Sequence, residues 1–165
     1  MRDGAARPSF LCLLYNLLMP RAAAFIIHGN EIALIRRQRD GRLYYVFPGG
    51  QLEEKESPEQ AVVREIDEEL GLKVHVDRLL VKLTHRGKNQ YYFLTHITGG
   101  KFGTGTGPEM QGLYPAERGS YHPVWMPVAN ILKENVVPHE VAEIVSRSTR
   151  HGWPRDVVML REEDR

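Results

Sequence analysis

The chain's pattern predicts an α/β fold, a mixed β-sheet held between helices, on three observations. Strand-length runs rich in β-branched and aromatic residues lie on both sides of one helix-length segment, residues 57–71. That segment carries its own start and stop signals and one apolar face. A second helical pattern begins late, at Pro138.

In chain order, Ala22 to Ile27 is short, small and apolar and reads as a buried strand. His28-Gly29-Asn30 is a turn, so Glu31 to Ile35 returns as the second arm of a hairpin. Arg36, Arg37 and Arg39 follow, then a turn at Asp40-Gly41. This arginine cluster is either a solvated strand end or a set of phosphate contacts, since guanidinium groups pair bidentately with phosphate oxygens. Leu43 to Phe47 leads into Pro48-Gly49-Gly50, where glycines permit positive φ. Ser57 caps the next helix, Pro58 fills its first turn, Gln60 completes a capping box, and Gly71 stops it.

Lys73 to Thr84 and Gln90 to Ile97 read as strands around a turn at His85 to Asn89. The glycine-rich segment from Gly99 to Glu109 lacks a phosphate loop's lysine-hydroxyl pair and opens no helix, so it reads as a mobile surface loop over a pocket. Tyr121 to Met126 is a strand, and Pro127 to Leu132 a short helical turn. The helix from Pro138 carries Val141, Ile144 and Val145 on one side. From Ser146 the chain turns polar, with Trp153-Pro154 and Val157 to Leu160 as its apolar pieces. The domain is therefore expected over 19–148, with a leader at 1–18 and a tail at 149–165.

The central helix also carries chemistry. Glu65, Glu68 and Glu69, at i, i+3 and i+4, share one face, while Val62, Ile66 and Leu70 form another that can bury against a sheet. Like charges this close repel and weaken a helix unless neutralised. A hard divalent cation neutralises them through carboxylate oxygens while keeping several waters. Arg64, four residues before Glu68, also offsets the cluster.

A solvated glutamate-rich face is the ordinary reading of such a helix; the spacing displaces it. Gly50, five residues, Glu56, seven residues, Arg64-Glu65-Ile66, one residue, Glu68-Glu69, one residue, Gly71-Leu72 resembles the Nudix box at each defined position. Nine such matches arise by accident in a chain this long with odds on the order of 10⁻⁷. The resemblance is specific over residues 49–72 and looser from about 20 to 148. It implies the Nudix fold, an α/β/α sandwich with a mixed sheet, and a Mg2+- or Mn2+-dependent hydrolase that cleaves the pyrophosphate bond of a nucleoside diphosphate derivative. By the same resemblance Glu68 and Glu69 are metal ligands, Glu65 is a ligand or the base, and the carbonyl of Gly49 faces the metal. Glu56 supports the site and Arg64 orients the glutamates. Some members recruit an acid from the later loop, for which Glu109 and Glu117 are the candidates here.

Substrate features outside the box narrow the class by elimination. The downstream proline of ADP-ribose hydrolases, the aromatic-proline array of NADH hydrolases and the upstream motif of coenzyme A hydrolases have no counterpart. A MutT-like nucleoside triphosphate pyrophosphatase, with 8-oxo-dGTP among the candidate substrates, leads over hydrolases of ADP-ribose, nucleotide sugars or dinucleoside polyphosphates. A non-catalytic nucleotide-binding module is the alternative of a different class, but such modules usually lose box carboxylates, and Glu56, Glu65, Glu68 and Glu69 are all kept.

Composition is that of an ordinary globular domain, 42% hydrophobic and 26% charged over 165 residues. A net charge of +1 gives no bulk attraction to nucleic acid or anionic lipid. Cys12, the one cysteine, excludes an internal disulfide or cysteine-based zinc site and fits a reducing cytosol. Phe10 to Leu18, apolar except for Asn16 and preceded by Arg2 and Arg7, reads as a secretory signal, a leader outside the domain or an extra packed element; it is too short to span a bilayer. The expectation is a cytoplasmic monomer or homodimer acting on a small-molecule nucleotide, with no stable nucleic-acid or membrane partner.

Overall fold

The computed structural model describes residues 18–162. The candidate leader, apart from Leu18, and Cys12 with it lie outside the described residues, as do residues 163–165. The strands are β1 (Arg21–His28), β2 (Glu31–Arg39), β3 (Arg42–Val46), β4 (Gly49–Gln51), β5 (Leu72–His85), β6 (Lys88–Gly100), β7 (Ser120–Pro127), β8 (Val136–Val137) and β9 (Val158–Glu162). The helices are α1 (Pro58–Leu70) and α2 (His139–His151), with short 3-10 turns at Ala116–Arg118 and Val128–Asn130. No described helix is long and apolar enough to cross a membrane.

The strands form one mixed sheet in the order β8-β3-β2-β1-β6-β5-β9, with β4 pairing β1 and β7 pairing β2. Parallel pairs join β1 to β6, β3 to β8 and β5 to β9; the other pairs are antiparallel. Because strand side chains alternate between faces, the sheet presents two apolar surfaces. Ala22, Ala24, Ile26, Ala33 and Ile35 meet Val62, Ile66 and Leu70 of α1. Phe25, Ile32, Leu34 and Leu83 meet Val141, Ile144 and Val145 of α2. The sandwich is the α/β/α arrangement of the sequence reading.

Four local outcomes differ from that reading or go beyond it. The Gly49-Gly50 pair is not a free turn but the start of β4, antiparallel to Ala22 and Ala23, which present only methyl groups to it. The β5–β6 hairpin runs longer than expected because Lys88 and Asn89 pair at one end and, past a register shift at Lys73/Val74, Gly99 and Gly100 pair at the other. Helix α2 crosses residue 148 and ends at His151, burying Ser146 and Ser148, whose small polar side chains disguise the helical face in the sequence. The segment read as a tail packs on the domain: Trp153 stacks on Phe25 with ring centroids 5.8 Å apart, and Val158–Glu162 pairs with Val81 to His85.

Candidate active site

Helix α1 is built as its sequence dictates. Ser57 Oγ accepts from the Gln60 amide at 3.1 Å, and the Gln60 side chain accepts from the Ser57 amide at 2.9 Å. Gly71 closes the helix at φ 72°, a left-handed conformation natural to glycine. With Val62, Ile66 and Leu70 buried against the sheet, the flank beside β4 carries the glutamates.

The three carboxylates sit in unequal environments. Glu69 is buried, and its Oε2 accepts from the Gly49 amide at 2.8 Å. Glu65 lies against Gly50, where any Cβ would overlap its carboxylate. Glu68 is the most open, with 38% of its side chain exposed against 13% for Glu65. The carbonyl of Gly49 accepts from Arg21 Nη2 at 3.3 Å, so this oxygen already faces a cation.

Arg64 ties the cluster together. It pairs bidentately with Glu56 at 2.8 and 2.9 Å, donates to Glu65 at 2.9 Å, stands 3.4 Å from Glu68, and caps the carbonyl of Gln51 at 3.1 Å. That hydrogen bonding holds the Glu56 carboxyl below its ordinary value and raises the Arg64 guanidinium further. The inner glutamates shift oppositely. Burial raises Glu65 despite Arg64, and burial together with the neighbouring Glu65 charge pushes Glu69 up to about 8. Acids held in this way are short of positive charge. The donor set is carboxylate and carbonyl oxygen with no nitrogen or sulfur, which fits a hard divalent cation; Glu65, Glu68, Glu69 and the Gly49 carbonyl are the groups able to hold it.

These residues line a cleft of about 830 Å³. Of the residues predicted to contact substrate, Arg37 and Glu109 line it, and Arg36 and Glu117 do not. Strand parity separates the arginines: Ile35 packs on the α1 side, Arg37 continues that side, and Arg36 is exposed on the other. Arg37 is also committed structurally. It donates to the carbonyls of Ser120 and Arg118 at 3.0 and 2.6 Å and lies 3.5 Å from the centroid of the Tyr121 ring. Glu117 is exposed on its 3-10 turn.

The glycine-rich segment lies over the cleft, as its composition suggests, and is tied to α1 by backbone hydrogen bonds. Gly103 and Gly107 donate their amides to the carbonyls of Leu70 and Glu68 at 3.0 and 2.8 Å, satisfying the open end of α1 and delivering Glu109 to the cleft. Arg21, Glu53, Tyr114 and Arg118 also line the cleft, and no spacing in the sequence marks them. Arg21 and Arg37 are shared with an adjoining pocket of about 310 Å³ walled by Tyr44, Phe47, Tyr91 and Tyr92. Tyr92 packs within the core beside Phe25, while Tyr44 is half-exposed. His85, His96, His122 and His139 do not line the cleft.

Comparison with known proteins places this geometry. The family profile of the NUDIX domain matches residues 17–145. The 8-oxo-dGTP diphosphatase of Escherichia coli (strain K12) is 40% identical over 67 residues, 39% of this chain and 52% of that protein. A MutT-like protein of Streptomyces ambofaciens is 35% identical over 99 residues, 53% of this chain and 64% of that protein. The chain thus spans about half the length of the first of these relatives and under two thirds of the second. Among solved structures, a NUDIX hydrolase from Nitrosomonas europaea superposes with a TM-score of 0.66 at 16% identity, covering 88% of this chain and 80% of that one.

Proposed function

The chain belongs to the Nudix family, and on that premise we propose that it is a divalent-metal-dependent hydrolase of the pyrophosphate bond in a nucleoside diphosphate derivative. One observation carries the reading. Three carboxylates of α1 converge beside Gly49 and Gly50 of β4, Glu65 and Glu68 held by Arg64 and Glu69 by the Gly49 amide, in a cleft rimmed by Arg21, Arg37 and Arg118. When bound among Glu65, Glu68, Glu69 and the Gly49 carbonyl, Mg2+ or Mn2+ would supply Lewis-acid polarisation of a phosphoryl oxygen and acidification of a water.

The chain's own residues do the rest. Glu68 and Glu69 would hold the cation, and the Gly49 amide orients the carboxylate of Glu69 for it. Arg64 orients Glu56, Glu65 and Glu68 through the guanidinium they share. Arginines at the rim offset phosphate charge as the anhydride enters. A water oxygen attacks phosphorus in line and the anhydride P–O bond breaks. The bridging oxygen leaves with the departing phosphate, and the water's proton passes to a carboxylate of the cluster, for which Glu65 is the candidate. From a nucleoside triphosphate the products are the monophosphate and pyrophosphate.

For the substrate we favour a nucleoside triphosphate of the 8-oxo-dGTP kind. The support is the substrate named for the E. coli relative, over the part of it that this chain matches. The aromatic-walled pocket beside the cleft is also suited to a planar base. The test is turnover of a panel of nucleoside triphosphates, ADP-ribose, nucleotide sugars and dinucleoside polyphosphates with Mg2+, Mn2+ or chelator, products resolved by chromatography. Metal-dependent monophosphate release, fastest from a triphosphate, is expected. Binding without turnover of any member overturns the enzymatic reading.

A further inference from the structure

Outside the cleft, one cluster of side chains has the make-up of a separate cation site. His75 and Asp77 point outward from β5, and His96 stands directly opposite His75 on β6. Val74, Val76 and Ile97 pack with the α1-side core, so these three exposed residues face away from α1. The register shifts between Val76 and Arg78, leaving Asp77 unmatched in the ladder. A bulge of this kind re-aims a side chain. Asp77 Oδ1 consequently lies 2.7 Å from His96 Nδ1 and 3.5 Å from His75 Nδ1. The imidazole centroids are 5.0 Å apart, and one ligating atom from each residue lies within 4.8 Å of the others.

Around a tetrahedral ion with bonds of about 2.0–2.1 Å, neighbouring ligand atoms are about 3.3 Å apart. The spacings on this surface bracket that edge, and rotation of exposed side chains closes the set. One carboxylate oxygen thus meets both imidazoles, at 2.7 and 3.5 Å, a convergence of three ligand-type groups on one point. Two imidazoles and one carboxylate select against Mg2+, which takes oxygen, and for borderline transition ions. We propose that His75, Asp77 and His96 bind one divalent transition ion of the Zn2+, Co2+ or Ni2+ class, tying β5 to β6 across the bulge and leaving the remaining coordination position to water. None of the three lines the cleft, and the proposal stands independently of the hydrolase reading.

The test titrates the full chain with Zn2+ by calorimetry in excess Mg2+, which competes for oxygen-only ligand sets. One equivalent is expected to bind wild type. His75→Ala and His96→Ala should each weaken it by at least about tenfold, while His139→Ala leaves it unchanged. Equal Zn2+ affinity in wild type and the His75→Ala/His96→Ala double variant overturns the proposal. Should the double variant fail to fold, Co2+ broadening of histidine ring signals in the wild type decides. Signals of His75 and His96 disappearing first support the site; first loss at His28, His85, His122, His139 or His151 overturns it.

Discussion

The amide of Gly49 donates to the carboxylate of Glu69 at 2.8 Å, across twenty residues of chain. This bond fixes the buried glutamate against β4, and the geometry allows only glycine at its donor. The residue has φ 149°, and a Cβ there would overlap the carbonyl oxygen of Ala22. Gly49→Ala should therefore lower stability by about 2 kcal/mol and reduce turnover through the displaced Glu69. Denaturant melts and steady-state kinetics check both. An unchanged melt with unchanged turnover would remove Gly49 from the site's support.

Glu68→Gln and Glu69→Gln keep side-chain shape and remove a charged ligand. Each should lower turnover by orders of magnitude, about 10²-fold or more, with the circular dichroism spectrum unchanged. A near-normal rate in either removes that residue from the metal role.

The burial of Glu69 also gives the metal-free protein a pH dependence of known sign. Its carboxyl is raised from 4.5 to about 8, and Glu65 is raised as well. A raised acid binds more protons folded than unfolded, so its contribution to stability is full below about pH 4.5 and lost as pH climbs through about 8. In chelator, Tm should fall between pH 6 and 8.5. Mg2+ should restore it most at the alkaline end, and Glu69→Gln should flatten the slope. Glu56, lowered by Arg64, acts oppositely but only in the acidic range below its ordinary value. A melt indifferent to both pH and Mg2+ contradicts the scheme.

Local chemistry is what made α1 readable: its cap, its stop and its carboxylate spacing all lie within residues 57–71. Pairings decided at a distance were not. Strand β4 has three residues, two of them glycine, and exists because Ala22 and Ala23 lie beside it. The parallel strand Val158–Glu162 depends on β5, some seventy-seven residues earlier. Arg21 enters the cleft through the same β1–β4 contact, and nothing in its sequence neighbourhood marks it. The separation of Arg37 from Arg36 was readable in principle, from the period-2 parity that Ile35 begins.

Arg64 meets Glu56, Glu65 and Glu68 at once, with 23% of its side chain exposed. Arg64→Ala strips three carboxylates of their shared partner, and Arg64→Lys keeps charge but not the bidentate fork. The alanine variant should cost about 2 kcal/mol after allowance for partial solvent screening. The lysine variant should cost less, yet raise the Mg2+ concentration needed for half-maximal rate. Melts against a Mg2+ titration separate the two effects. A lysine variant with wild-type metal dependence would show that the charge alone suffices.

Trp153 lies beyond α2, yet its ring stacks on Phe25 at an interplanar angle of 13°. Arg78 donates to the carbonyls of Pro154 and Arg155, clamping the chain on its way to β9. Trp153→Ala removes a half-buried aromatic, for which about 2 kcal/mol is expected. Neither Trp153 nor β9 lines the cleft, so kcat measured well below the melting temperature should stay within about twofold of wild type. A change in KM would travel through Phe25, which packs on Phe47 and Tyr92 of the adjoining pocket. Loss of turnover at full retention of fold would mean that the C-terminal strand shapes the cleft as well as supporting the sheet.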